Sequence, residues 1–389
     1  MPSVNPAILS WARNSAGLSV EEAVAKLPLK AAYGKTAIER LNELESGARA
    51  PSRPTLVRMA KQYRRPLVTF YLSKPPPEGD RGTDFRSLSG GQSPDADARV
   101  QALVRQIQAR QSVLRDILAE DEADELPFVG CLTLDNGRQA ALDLTHQLLG
   151  SSHPSRAQDS DQAFDELREA AHQAGVFVLL KGDLGNYRTA IDTDTFRGFA
   201  LADRLAPFIV INDNDARAAW SFTLVHELVH LFLGHTGISG IRAGNRVEQF
   251  CNDVASAFLL PEKALATLEL SRLEHEELAS AVGKVARDHN VSRALVAYRL
   301  FRSKQIERQD YSRLVSAFRT QWLNRREERR EATRATDGGP SFYTVRRHRA
   351  GSALLDAVRG AHLAGDLPTT RAALVLGIKP TQVGEMLSD

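Results

Sequence analysis

The chain has 389 residues, 42% hydrophobic and 25% charged, a balance that suits a soluble globular protein of two or three domains and excludes a low-hydrophobicity disordered chain. Fifty basic residues stand against 48 acidic ones, so net charge alone argues for no nucleic-acid partner. Two distant cysteines, Cys131 and Cys251, exclude a disulfide scaffold, and with no membrane-length apolar run or signal-peptide pattern the expectation is a cytoplasmic protein with no membrane contact.

Residues 1–72 read as a compact helical unit. A first helix spans 6–15 and stops at Gly17. Ser19-Val-Glu-Glu22 and Thr36-Ala-Ile-Glu39 have the spacing of capping boxes and open two further helices, the first burying Val20, Ala23, Val24 and Leu27. A turn through Gly47 and Pro51 leads to a fourth helix over 55–63. This order, with Leu44-Glu-Ser-Gly47, Pro51 and Leu56 to Ala60, resembles the helix-turn-helix of the Cro/C1 (XRE) repressor family. The resemblance implies that residues 19–65 meet double-stranded DNA, and nine basic against three acidic residues between 30 and 65 suit phosphate contacts. The recognition helix would be 36–45, yet Glu39, Glu43 and Glu45 on it would repel the DNA backbone. A helical module that binds a protein is the other reading.

Residues 73–96 read as a linker, with a stiff run at Pro75-Pro-Pro77. Asp84-Phe85-Arg86 lies within it. A long helix over 97–121 follows, with Val100, Leu103, Val104, Ile107, Val113, Leu114, Ile117 and Leu118 on its buried face. A helix is expected over 160–174 and strands over 176–180, 195–200 and 208–211. His146, His153 and His172 have no ligand spacing and read as surface or capping residues.

The chemistry is concentrated in Phe222-Thr-Leu-Val-His-Glu-Leu-Val-His230. His226, Glu227 and His230 fit H-E-x-x-H, and residues four apart on a helix share a face, so both imidazoles can reach one metal ion. Zinc takes nitrogen, sulfur or carboxylate ligands in a tetrahedron. Glu227 then stands beside the metal as a base. The helix is apolar almost all round, hence buried, and its polar groups need a partner that a metal supplies. The extended pattern with Gly and His three and six residues on fails, because Gly234 and His235 fall at four and five. A third ligand therefore comes from elsewhere. Glu248 is the better candidate, in a helical run ending at Pro261 with Asn252 one turn on to orient a ligand histidine, and His235 is the alternative. Cys251 reads as a small buried residue.

Arg197-Gly-Phe199, Ile209-Val-Ile-Asn212, the His226 to His230 motif, Glu248, Asn252 and Leu259-Leu-Pro261 together resemble the ImmA/IrrE family of zinc-dependent peptidases. That resemblance implies a thermolysin-like zinc site with His226, His230 and Glu248 as ligands and Glu227 as catalytic base. It also implies a repressor protein as substrate. The chain departs from the family in carrying Ala219-Trp220-Ser221 where arginines often stand.

Beyond Pro261, helices are expected over 276–289 and 292–304, then a charged helix over 319–334 and a last helical module over 341–388 whose ending looks like a small helix-turn-helix. The resulting fold class is α+β and mostly helical: an N-terminal helix-turn-helix bundle, a central zincin-like domain with a small sheet over 97–310, and a charged helix and helical module over 311–389. The expected function is a zinc-dependent endopeptidase in gene regulation, attacking a peptide carbonyl with metal-activated water. His235, Arg242, Arg246 and Tyr187 are candidates for oxyanion stabilisation. The rival expectation is an antitoxin or transcriptional regulator, paired with a toxin, whose metal site is structural or vestigial.

Overall fold

A computed structural model describes residues 4–27, 29–32, 34–75, 94–150, 154–239, 246–265, 274–334 and 341–388. Most of the linker, with Asp84-Phe85-Arg86, lies outside the described residues, as do His153 and Arg242. The chain forms two compact units: Met1–Ile107 with Asp183–Thr195, and Gln108–Gly182 with Phe196–Asp389.

In the first unit, α1 (Pro6–Ser15), α2 (Val20–Lys26), α3 (Ala37–Ser46) and α4 (Arg53–Gln62) surround a core that includes Ile8, Leu9, Leu41, Leu44, Leu56, Met59 and Phe70. Both capping boxes form. Ser19 Oγ accepts from Glu22 N at 3.2 Å and Thr36 Oγ1 from Glu39 N at 3.2 Å, each glutamate returning to its cap backbone. Helix α4 starts earlier than residue 55 because Ser52 caps it, with Pro54 in the first turn where no amide donor is needed. The three acids of α3 all have partners: Glu39 in its own cap, Glu43 on Lys35, and Glu45 in a two-pronged pair with Arg13 at 2.8 and 2.9 Å. The long helix α5 spans Pro94–Glu120.

The second unit continues with α6 (Gly137–Leu149), α7 (Ser160–Gln173), β1 (Phe177–Leu180), β2 (Gly198–Leu201), β3 (Phe208–Ile211), α8 (Arg217–Phe232), β4 (Gly237–Ser239) and α9 (Arg246–Leu259). The four strands form one mixed sheet in the order β1-β3-β2-β4. β1 runs parallel to β3, whereas β2 is antiparallel to both β3 and β4. Every residue of β1, β2 and β3 is buried, as expected of short strands covered on both faces. β4 has no alternation in sequence to announce it, being three residues held by pairing with β2. α8 packs against β2, β3, α7 and α9, which buries twelve of its residues and explains its all-round apolar character.

Helices α10 (His275–Asp288), α11 (Arg293–Arg302) and α12 (Arg308–Arg334) follow. Leu314 and Phe318 of α12 belong to the main core, so the charged helix begins earlier than residue 319 and its first half is anchored. The last helices are α13 (Phe342–Ala350), α14 (Ser352–Ala364), α15 (Thr369–Leu376) and α16 (Val383–Leu387). The structure draws no unit boundary at residue 311, because this tail packs on β1 and α7.

The tail is held by buried polar groups. Arg168 of α7 donates through Nε and Nη2 to Val178 O, and through Nη1 to His348 O at 2.7 Å. His172 is buried rather than a surface residue, with Nδ1 2.8 Å from Ser352 Oγ. Gly351, at φ 80°, lets the chain pass this point, since a Cβ there would stand 2.7 Å from His172 Cε1 and 2.8 Å from Arg168 Nη2. Burial, with Arg168 close by, pulls His172 from 6.5 down to about 4. Below pH 6.5 the unfolded chain gains a proton that the folded chain refuses until about pH 4, so stability falls as pH drops through that window. His172→Asn, which keeps a polar atom for Ser352 without a charge to gain, should flatten the dependence. In denaturant unfolding, the wild type is expected to lose about 1–2 kcal/mol more than the variant between pH 7 and pH 5.

Candidate metal centre

Helix geometry brings His226 and His230 onto one face of α8, one turn apart. Their Nε2 atoms lie 3.1 Å from each other. Glu248, in the first turn of α9, completes the group: Oε2 is 3.4 Å from His226 Nε2 and Oε1 is 3.2 Å from His230 Nε2. Among the described residues, these three form the group of histidine, cysteine and acidic side chains that can hold a metal ion, their ligand atoms all within 4.8 Å of one another.

The donor set fits zinc. Two ligands about 2.05 Å from a tetrahedral ion are separated by roughly 3.3 Å, the spacing at which these nitrogens and oxygens converge. Two imidazoles and one carboxylate leave a fourth position for water or substrate, as in a catalytic rather than a structural site. Burial pushes the Glu248 carboxyl up and is the largest single influence. Hydrogen bonds from His226 and His230, together with their charge, outweigh it and hold Glu248 at about 2.

Glu227 is completely buried on the side of α8 that faces the sheet. His235 has its ring 6.5 Å from that of His230 and stands beside the converging side chains without joining the group. Asn252 makes no hydrogen bond to either imidazole among the described residues, because sharing a face of α9 with Glu248 does not bring its short side chain to a ring nitrogen. Arg246 is exposed at the start of α9, and Tyr187 is exposed in the other compact unit. Cys251 is buried in the core.

Two residues of the stretches that carry the family resemblance, given no structural role by the sequence, support this centre. Asn212, fully buried after β3, donates from Nδ2 to Phe196 O at 3.0 Å, and its backbone N donates to Arg197 O at 2.8 Å, tying the start of β2 to the segment that enters α8. Gly198 is the second. A Cβ there would lie 2.5 Å from Thr223 Cγ2, 2.8 Å from Glu227 Oε1 and 3.1 Å from Val210 O. A glycine between an arginine and a phenylalanine was the available signal, since glycine inside a strand often marks a close approach. Gly198→Ala should therefore lower unfolding stability by about 1–3 kcal/mol through overpacking, measured by denaturant titration. Adding Thr223→Ala removes the tightest contact and should return part of that loss.

Residues 178–301 match a peptidase family model described as the IrrE N-terminal-like domain. The matched stretch begins in β1 and ends in α11, so it holds α8, α9 and all three converging side chains, while covering less than half of the chain. No curated protein and no solved structure gives a significant match. That family is generally zinc-dependent, in agreement with the His/Glu cluster. The match supports reading this segment as a metallopeptidase-like regulator of the ImmA/IrrE type.

Proposed function

We propose that the protein is a zinc-dependent endopeptidase in gene regulation and that its substrate is a transcriptional repressor. The observation that carries this reading is the convergence of His226, His230 and Glu248 on one point, with the buried Glu227 next to His226 in the chain. His226 and His230 would hold zinc through Nε2 and Glu248 through its carboxylate. Bound there, the ion would lower the pKa of a water molecule and polarise a peptide carbonyl. Glu227 takes the proton of the attacking water and passes it to the leaving amine, a transfer that needs a carboxylate fixed in place. Gly198 approaches it closely from the sheet side.

The substrate's path follows from the sheet. Among the described residues β4 pairs with β2 alone, so its other edge can take an extended peptide as an added strand. The first unit would bring the enzyme to double-stranded DNA through residues 19–65. Two features support that role. The acids of α3 are already engaged by Thr36, Lys35 and Arg13, and Arg53, Arg58 and Lys61 are exposed on α4.

The test compares new protein N-termini in host cells expressing wild type or Glu227→Gln, with and without DNA damage. The substitution leaves the three ligands in place and removes the base. A terminus present only with the wild type is expected, and its sequence names the substrate. Matching profiles would overturn the peptidase reading in favour of a regulator that acts by binding a partner protein.

A further inference from the structure

The ligand Glu248 stands in the first turn of α9, the least secure part of a helix. Amide groups there lack acceptors within the helix, and ends fray. A shift of an ångström would take the carboxylate out of reach of the two imidazoles. Something must hold this turn, and α11 does so from outside.

Arg302, the last residue of α11, forks across two successive turns of α9. Its Nε donates to Asp253 Oδ1 at 2.9 Å and its Nη2 to Asp253 Oδ2 at 2.5 Å. With the Gln249 amide oriented so that its oxygen faces the guanidinium, Gln249 Oε1 accepts from Nη1 at 2.5 Å and from Nη2 at 3.2 Å. Tyr298, one turn earlier on α11, donates its hydroxyl to Asp253 Oδ1 at 2.8 Å. Behind them Phe301 stacks on Tyr311 of α12, with ring centroids 5.1 Å apart. Gln249 and Asp253 are four apart and share a face of α9. Gln249 is also the chain neighbour of Glu248, which projects about 100° round the helix, toward α8. One face of α9 is thus fastened to α11 while the adjacent direction presents the ligand.

We propose that Arg302 is a positioning residue of the metal centre: by tying Gln249 and Asp253 to α11 it fixes the first turn of α9, and with it the Glu248 carboxylate against His226 and His230. The inference rests on the zinc reading above. A guanidinium suits the task because its rigid planar fork can bind a carboxylate with two donors and keep a third for the amide. An ammonium cannot reach both.

The test uses the full-length chain and needs no substrate. Zinc affinity is measured by equilibrium competition with a chromophoric chelator, and the thermal midpoint is taken on metal-free protein. Groups that orient metal ligands typically contribute about tenfold or more to metal affinity, and Arg302→Ala is expected to lose about that much. Arg302→Lys, keeping a single contact to Asp253, should recover part of it. Gln249→Ala removes only the contact nearest the ligand; it should weaken zinc about threefold or more while the metal-free thermal midpoint stays at the wild-type value. Wild-type zinc affinity in Gln249→Ala or in folded Arg302→Ala overturns the proposal, as does a loss that merely follows the fall in metal-free stability. Should Arg302→Ala fail to fold, Gln249→Ala decides alone. A wild-type chain that takes up no zinc overturns the metal reading itself, whereas zinc-binding wild type with insensitive variants overturns only the role of Arg302.

Discussion

The structure depends on two imidazole nitrogens and one carboxylate being held within about a ligand-to-ligand distance of each other, a little over 3 Å, inside a largely apolar core. Two of the three come almost without effort, since one helix supplies both histidines at a spacing that puts them on the same face. The third belongs to a different helix. Its position must be held by everything that packs α9 against α8. The sheet presses on α8 at Gly198, the core helices fill the remaining sides, and α11 grips α9 from the flank.

Electrostatics gives that arrangement its direction. A carboxylate moved out of water resists ionisation, and burial does push Glu248 that way. Its two histidine neighbours reverse the balance and favour the carboxylate form. Glu227 is buried more deeply still, where the missing side chain of Gly198 leaves room for its carboxylate. Glu248 and Glu227 are both acids in the same core, and their neighbours differ: two imidazoles for the first, the close approach of Gly198 for the second.

The tail shows a second use of buried charge. Arg168 points its guanidinium at main-chain carbonyls of β1 and of α13, so one side chain joins the sheet to a helix nearly two hundred residues later. Hydrogen bonds from a charged donor are each worth roughly 1.5–3 kcal/mol, and removing such a donor leaves buried carbonyls without partners. This explains why the tail belongs to the compact unit that carries the metal centre, although its composition and the glycine-rich break near residue 338 read as a separate module.

The sequence by itself determined what short-range geometry can determine. The four-residue spacing of His226 and His230 requires a shared helical face, the Ser19 and Thr36 capping boxes start α2 and α3, and the apolar surround of the histidines makes α8 a buried helix. Such features depend on residues within a turn or two, where backbone geometry leaves few alternatives. The tertiary structure decided the rest. It selected Glu248 over His235 as the third converging group, gave Gly198 its close approach to Glu227, made a strand of Gly237–Ser239, buried His172, and brought Arg302 over Gln249 and Asp253. Each of these is a meeting of segments far apart in the chain. Residue spacing carries no record of such meetings, because they are fixed only when whole elements pack against one another.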